Sequence, residues 1–155
     1  MSAMELVRVT KAGPPLEEIR ALFLEYAQAL GFSLCFQGFD EELRTLPGKY
    51  APPEGSLLLA PGHGCVGVRQ LDARTAEMKR LFVRPTARGQ GLGRRLAEAA
   101  IAEARERGHA RMVLDTIPSK MSEAVALYRE LGFREIAPYY ENPIDGALYL
   151  ELVLQ

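Results

Sequence analysis

The chain has 155 residues, 48% of them hydrophobic and 25% charged, with a formal net charge of −1. That balance predicts a globular chain with enough length for a substantial core in a single domain, 1–155, and excludes a disordered one. Near-neutrality removes any overall pull towards nucleic acid or an anionic membrane, and no window reaches the roughly 20 apolar residues of a membrane span.

Met4–Val9 alternates as a short first strand, which Pro14-Pro15 is expected to stop. Leu16, Ile19, Leu22, Phe23, Tyr26 and Leu30 recur at helical spacing, and Gly31 ends the run. Phe39–Leu46 predicts a second short helix, and Lys49–Gly55, with Pro52 and Pro53, a loop. Ser56–Ala60 and Cys65–Leu71 flank a Pro61-Gly62-His63-Gly64 turn and predict a hairpin. Thr75–Val83 is a further strand ended by Pro85. Gly91–Arg107 is a strongly amphipathic helix with Gly108 as its stop. Arg111–Thr116 predicts a strand, Ser122–Leu131 a helix closed by Gly132, and Phe133–Ala137 and Ala147–Leu154 the last strands. This order predicts a mixed sheet with helices on both faces.

Cys35 and Cys65 lack metal-binding spacing, and Met1–Val9 contains Glu5 and no long apolar core. Both features predict a cytoplasmic protein with reduced thiols and no bound metal. His63, in a turn, and His109, after a helix, read as surface histidines.

The chemistry concentrates in Arg88-Gly89-Gln90-Gly91-Leu92-Gly93, between a strand and the long helix. The first N–H groups of a helix have no internal partners, and their partial positive charge makes an anion site. Glycines let a phosphate approach the backbone and let the turn adopt unusual dihedrals. Arg88, Arg94 and Arg95 add cationic charge, so a pyrophosphate is the natural ligand. The segment lacks the Lys-Ser/Thr ending of a P-loop and the third glycine of the dinucleotide fingerprint. Taken alone, it also reads as a glycine-rich helix entry with a solvated basic face.

Its surroundings are more specific. Glu77 to Gly93, followed by Tyr128-Arg129-Glu130-Leu131-Gly132-Phe133, resembles the GNAT superfamily of acyltransferases. The family's phosphate loop, Arg/Gln-x-x-Gly-x-Gly/Ala, is filled by Arg88, Gly91 and Gly93. Its apolar-Val-x-Pro strand ending is matched by Leu81-Phe82-Val83-Arg84-Pro85. Its Ala-x-x-Leu-Tyr-x-x-x-Gly-Phe phrase is matched by Ala124, Leu127, Tyr128, Gly132 and Phe133. The motifs cover about a third of the chain, and the remainder agrees in element order only.

The resemblance implies an α/β (α+β) fold: a mixed, mostly antiparallel sheet of about seven strands flanked by about four helices. The parallel strands 75–83 and 111–116 would splay apart to admit the cofactor, with the breaks near Pro85 and Pro118. It implies acetyl-CoA as co-substrate. Backbone groups of Leu81, Phe82 and Val83 would pair with the pantetheine arm like an added strand. Arg88 and the backbone of Gly89, Gln90, Gly91, Leu92 and Gly93 would hold the pyrophosphate. Tyr128 would sit near the sulfur, where a phenol protonates or stabilises the leaving thiolate. Many members carry an asparagine at the position of Met121, and Ser119 is the candidate replacement for its contact.

An amine acceptor, with a pKa of roughly 10.4 for a lysine-like group, has to lose a proton. Glu77 stands at the offset of the glutamate base in the histone-modifying branch of the family. It reads equally as a structural carboxylate paired with Lys79 or Arg74. Asp115, ending the next strand, is the second candidate.

In the family, the acceptor approaches across the sheet from the cofactor. The bounding segments here are aromatic: Tyr26, Phe32, Phe36 and Phe39 early, Tyr139-Tyr140-Glu141-Asn142-Pro143 late. They predict a small-ligand pocket in which Arg80 pairs with a substrate carboxylate; the competing reading makes them core and gives Arg80 an internal acid. The expected activity is acetyl transfer to a primary amine of a small molecule or peptide, by direct attack in a ternary complex. The alternative is a non-catalytic acyl-CoA-binding sensor or interaction domain on the same fold. Neither nucleic acid nor membrane is an expected partner, and a homodimer is left open.

Overall fold

The computed structural model describes residues 5–31, 34 and 38–155. Met4, Phe32, Phe36 and Cys35, named above, lie outside the described residues. The elements follow in the order β1 (Val7–Arg8), α1 (Pro14–Leu30), α2 (Phe39–Thr45), β2 (Ser56–Ala60), β3 (Gly64–Asp72), β4 (Thr75–Val83), α3 (Leu92–Glu106), β5 (Arg111–Thr116), α4 (Ser122–Glu130), β6 (Arg134–Ile136) and β7 (Leu148–Val153). Among the described residues, 3-10 turns lie at Gly48–Tyr50 and Pro85–Ala87. Pro14 and Pro15 do not stop a strand. They open α1, where a missing N–H costs nothing because the first helical N–H groups are unpaired anyway.

The seven strands form one sheet in the order β1-β2-β3-β4-β5-β7-β6. Every pairing is antiparallel except β4 with β5. Alternation along β2 divides the core: Leu58 and Ala60 join α3 on one face, while Leu57 and Leu59 pack with α1 on the other. On the α3 face, Leu92, Leu96, Ala100 and Ile101 lie over Val66, Val68, Ala76 and Met112. On the α1 face, Ile19, Leu22 and Phe23 are fully buried with Tyr50 and Cys65.

Among the described residues, no helix is long and apolar enough to cross a membrane. His109 corrects an expectation: it is 2% exposed, because the turn after α3 folds its N–H back to the Ala104 carbonyl and tucks the ring inward.

Gly67 of β3 is fixed by a neighbour. A Cβ there would lie 2.7 Å from Cε1 of Tyr50, whose ring packs edge-on to Phe23 and whose hydroxyl donates to Glu42. Gly67→Val is expected to lower unfolding stability by about 1–3 kcal/mol through overpacking. Urea denaturation checks this, and an unchanged midpoint contradicts the close approach of β3 to Tyr50.

Candidate functional site

The site begins with a fault in β4. Cys65 stands opposite Phe82 and Gly67 opposite Lys79, so β4 carries one residue more than β3 between them. This is a β-bulge. Arg80 sits in it with φ 61°, the left-handed region that a branched, bulky side chain avoids. The bulge shifts the strand's alternation by one: Ala76 and Met78 face the α3 core before it, Leu81 and Val83 after it. Pairing of β4 with β5 runs only from Thr75–Arg111 to Glu77–Val113. The parallel strands therefore part after Glu77, just before the bulge, rather than at the prolines.

Contacts on both sides hold Arg80 in place. Its Nε and Nη2 each donate to Glu42 of α2 at 3.0 Å. Tyr50 donates to the same carboxylate at 3.1 Å. The guanidinium lies 5.6 Å from the Tyr26 ring centre and 5.2 Å from that of Phe39. From behind, the Cys65 thiol donates to the Arg80 carbonyl at 3.4 Å, and burial pushes that thiol's pKa up, so it stays protonated. Burial opposes charge on Arg80 most strongly, but the Glu42 hydrogen bond and charge, with Tyr50 and Tyr26, together outweigh it, and the guanidinium stays fully charged. An internal acid thus takes the role expected of a substrate carboxylate.

Beyond the bulge, a groove of about 760 Å³ runs along Leu81, Phe82 and Val83 to the start of α3. Gly89 and Gly91 adopt φ 82° and 76°, and a Cβ on either would meet no atom within 4 Å. Their conformation demands glycine, and their outward faces are open. Gly91 is the N-cap of α3 without any side-chain cap, and the first turn holds no acidic residue. It holds Arg94 and Arg95 instead, which the positive end of the helix dipole disfavours by about 0.3–1 kcal/mol each. An anion at this helix start would relieve that repulsion. Arg88 lines the groove and ties the loop down by donating to the Val83 carbonyl at 3.0 Å. Lys120, Met121 and Ser122 form the far wall; Gln90 and Ser119 do not line it.

Leu81 and Met121 also line a second, tighter cavity of about 30 Å³, so the two spaces adjoin. Tyr128, Tyr26, Lys79, Asp115 and Asn142 line this cavity. The family phrase acquires a physical reason here. Gly132, at φ 104°, turns the chain after α4, the Phe133 N–H returns to the Tyr128 carbonyl at 3.0 Å, and the Phe133 ring packs on the Tyr128 ring. Burial, with Tyr26 and Asp115 nearby, pushes the Tyr128 pKa up, so its hydroxyl keeps its proton.

The two candidate bases separate. Glu77, 1% exposed, does not reach the Tyr128 cavity and lines a different space with Tyr139 and Tyr140. Its oxygens accept from Arg69 at 2.7 Å and from Tyr139 at 2.6 Å, and the Lys79 charge acts on it as well. Burial alone would raise its pKa, but Lys79, Arg69 and the Tyr139 bond together hold it below the usual range. Asp115 does line the cavity, and it accepts from Tyr140 and, at 3.0 Å, from Asn142. The segment between β6 and β7 thus reaches over both carboxylates. Sequence reasoning missed Glu42, Arg69 and Lys79. A buried Arg80 calls for an acid, but nothing in the spacing picks Glu42 from Asp40 or Glu41.

Comparison with known proteins bears on the family and the fold. Residues 20–133 match the Acetyltransferase (GNAT) family. An uncharacterized N-acetyltransferase of Schizosaccharomyces pombe is 38% identical over 152 residues, covering 94% of this chain and 93% of the relative. A GNAT-family acetyltransferase structure from Staphylococcus aureus superposes with a TM-score of 0.76 at 19% identity, covering 97% of this chain and 100% of that one. One from Elizabethkingia anophelis, with acetyl-CoA bound, gives 0.68 at 22% identity, covering 97% of each chain. The fold and the site define an acyltransferase scaffold, and the chain belongs to the GNAT acetyltransferase family.

Two outcomes follow from the buried charges. Glu42→Gln leaves the Arg80 guanidinium without its counter-charge, and urea unfolding is expected to show a loss of about 3–5 kcal/mol; a loss below about 0.5 kcal/mol, within the range of ordinary surface changes, contradicts the clamp. The lowered pKa of Glu77 contributes stability that is present above its unfolded value and is lost as pH falls through the folded value. Glu77→Gln should therefore flatten the acid limb of the stability–pH curve, and an unaltered limb contradicts the pairing with Arg69 and Tyr139.

Proposed function

We propose that the protein transfers an acetyl group from acetyl-CoA to a primary amine of a small molecule or peptide, by direct attack in a ternary complex. The observation that carries this reading is the junction at Leu81 and Met121 between the glycine-ended groove and the Tyr128 cavity. The groove's size is that of a ligand site. The open β4 edge from Leu81 to Val83 suits the amides of a pantetheine arm, and the bare start of α3 suits a pyrophosphate. Bound there, acetyl-CoA supplies an activated thioester.

In this reading the chain's own groups divide the remaining work. Tyr128, whose hydroxyl keeps its proton, donates a hydrogen bond to the departing sulfur and stabilises the charge that develops on it. Asp115 is the carboxylate on the Tyr128 cavity and draws the proton from the acceptor amine; Glu77, engaged by Arg69 and Tyr139, orders the wall behind it. The cavity of about 30 Å³ has room for about one water, so an acceptor must displace side chains as it enters. That tightness is also what favours the competing reading, an acyl-CoA sensor without turnover.

Calorimetry with acetyl-CoA, followed by a mass-spectrometric amine screen, tests both readings. Saturable binding with turnover of at least one amine is expected. Binding with no turnover across the panel leaves the sensor, and no binding at high micromolar concentration removes both. Gly91→Val should abolish binding, since a β-branched residue cannot hold φ 76° and its side chain would stand where the anion approaches. Tyr128→Phe is expected to lower kcat roughly 10²-fold with acetyl-CoA affinity unchanged; unaltered turnover would deny the hydroxyl a role.

A further inference from the structure

The wall of the Tyr128 cavity includes a lysine. Lys79 is 7% exposed and stands between two spaces, lining both the cavity of Tyr128 and Asp115 and the neighbouring space of Glu77 and Tyr139. The chain's other lysines, Lys11, Lys49 and Lys120, are exposed to solvent. We infer that Lys79 is an internal acetyl acceptor: with acetyl-CoA bound and no external amine present, the protein acetylates its own Lys79. The inference rests on the acyl-CoA reading of the adjoining groove.

Geometry supplies the first ground. The cavity meets the groove at Leu81 and Met121, and Lys79 stands one residue before the bulged Arg80, so the strand that would carry the pantetheine arm also carries the amine. A nucleophile anchored beside a bound acyl group reacts as a unimolecular partner, an advantage no surface lysine shares. The second ground is protonation. Burial pushes the Lys79 ammonium down to a pKa of about 8, helped by Arg80 on its own strand and Arg69 on β3. Glu77 and Asp115 act against the shift without cancelling it. A sizeable neutral fraction is therefore present just above neutral pH, whereas an ordinary lysine is almost wholly charged.

The step balances without a further reagent. The Lys79 Nζ lone pair attacks the thioester carbonyl carbon, a C–N bond forms, the C–S bond breaks and coenzyme A leaves as thiolate. The proton lost from Nζ ends on that sulfur, giving acetyl-lysine and free coenzyme A. The product is longer than lysine and uncharged. Lodged in a cavity of about 30 Å³ it would leave little space, and it removes a positive charge that Glu77 and Asp115 both feel. Acetylation of Lys79 should therefore shut the acceptor side, and a good external acceptor should protect against it.

The test incubates the intact protein with acetyl-CoA and no amine, then maps acetylation by peptide mass spectrometry at each lysine over time. Lys79 is expected to be modified at least about tenfold faster than Lys11, Lys49 and Lys120, as anchoring beside the donor predicts. Its first-order rate should be independent of protein concentration and should rise with pH through about 8. Tyr128→Phe should slow labelling at Lys79 alone. Equal labelling of all four lysines, or a Lys79 rate that scales with protein concentration, overturns the inference. Calorimetry on the same preparation separates the causes of failure. Binding of acetyl-CoA without labelling of Lys79 removes this inference only, whereas absence of binding removes the acyl-CoA reading beneath it.

Discussion

The structure depends on one strained residue. Arg80 occupies a left-handed backbone conformation in the middle of β4, at a cost of order 1–3 kcal/mol, and the pair of hydrogen bonds to Glu42 offsets it. The consequences are geometric. The bulge moves Leu81 and Val83 onto the face that Ala76 and Met78 occupied, and β4 parts from β5 after Glu77. Without that separation, the edge from Leu81 to Val83 would be sealed by a neighbouring strand. The groove and the Tyr128 cavity would then have no common border.

The same clamp ties together the elements on the α1 face of the sheet. Glu42 belongs to α2, Tyr26 to α1 and Tyr50 to the turn before β2, and all three meet at the Arg80 side chain. A buried ion pair adds little net stability over a well-packed apolar alternative, but breaking one is expensive. Its value here lies in fixing which residue bulges. Elsewhere on this face the acids are also engaged: Glu77 by Arg69 and Tyr139, Asp115 by Tyr140 and Asn142, Glu151 by Arg111 at 2.5 Å. The face that carries these acids thus adds a set of polar contacts to its apolar core.

Element order was legible because each element announces itself locally. Ser56–Ala60, Thr75–Val83 and Arg111–Thr116 have the bounds that their alternation and flanking turns predict. The glycine loop and the Leu127-Tyr128 phrase were legible because their backbone demands are unusual: left-handed glycines at 89, 91 and 132. What was not legible is long-range. The reach of Tyr139 to Glu77 spans 62 residues and that of Arg80 to Glu42 spans 38, and no local pattern encodes either. The bulge itself left a trace. Ala76 and Met78 alternate, then Leu81 and Val83 resume one place out of phase, with two cations between them. Pro85 drew the expected break because it is the stronger local signal, although the strand pairing had already ended.

The claim that the Glu42–Arg80 clamp shapes the groove is tested most directly by a rescue. Glycine adopts the left-handed conformation without strain, so it needs no clamp. Acetyl-CoA affinity is measured by calorimetry for the wild type, Glu42→Gln, and the double variant Glu42→Gln with Arg80→Gly. The account predicts affinity weakened about tenfold or more in the single variant, corresponding to at least about 1.4 kcal/mol, and largely restored in the double variant. A single variant that binds like the wild type, or a double variant no better than the single, would contradict it.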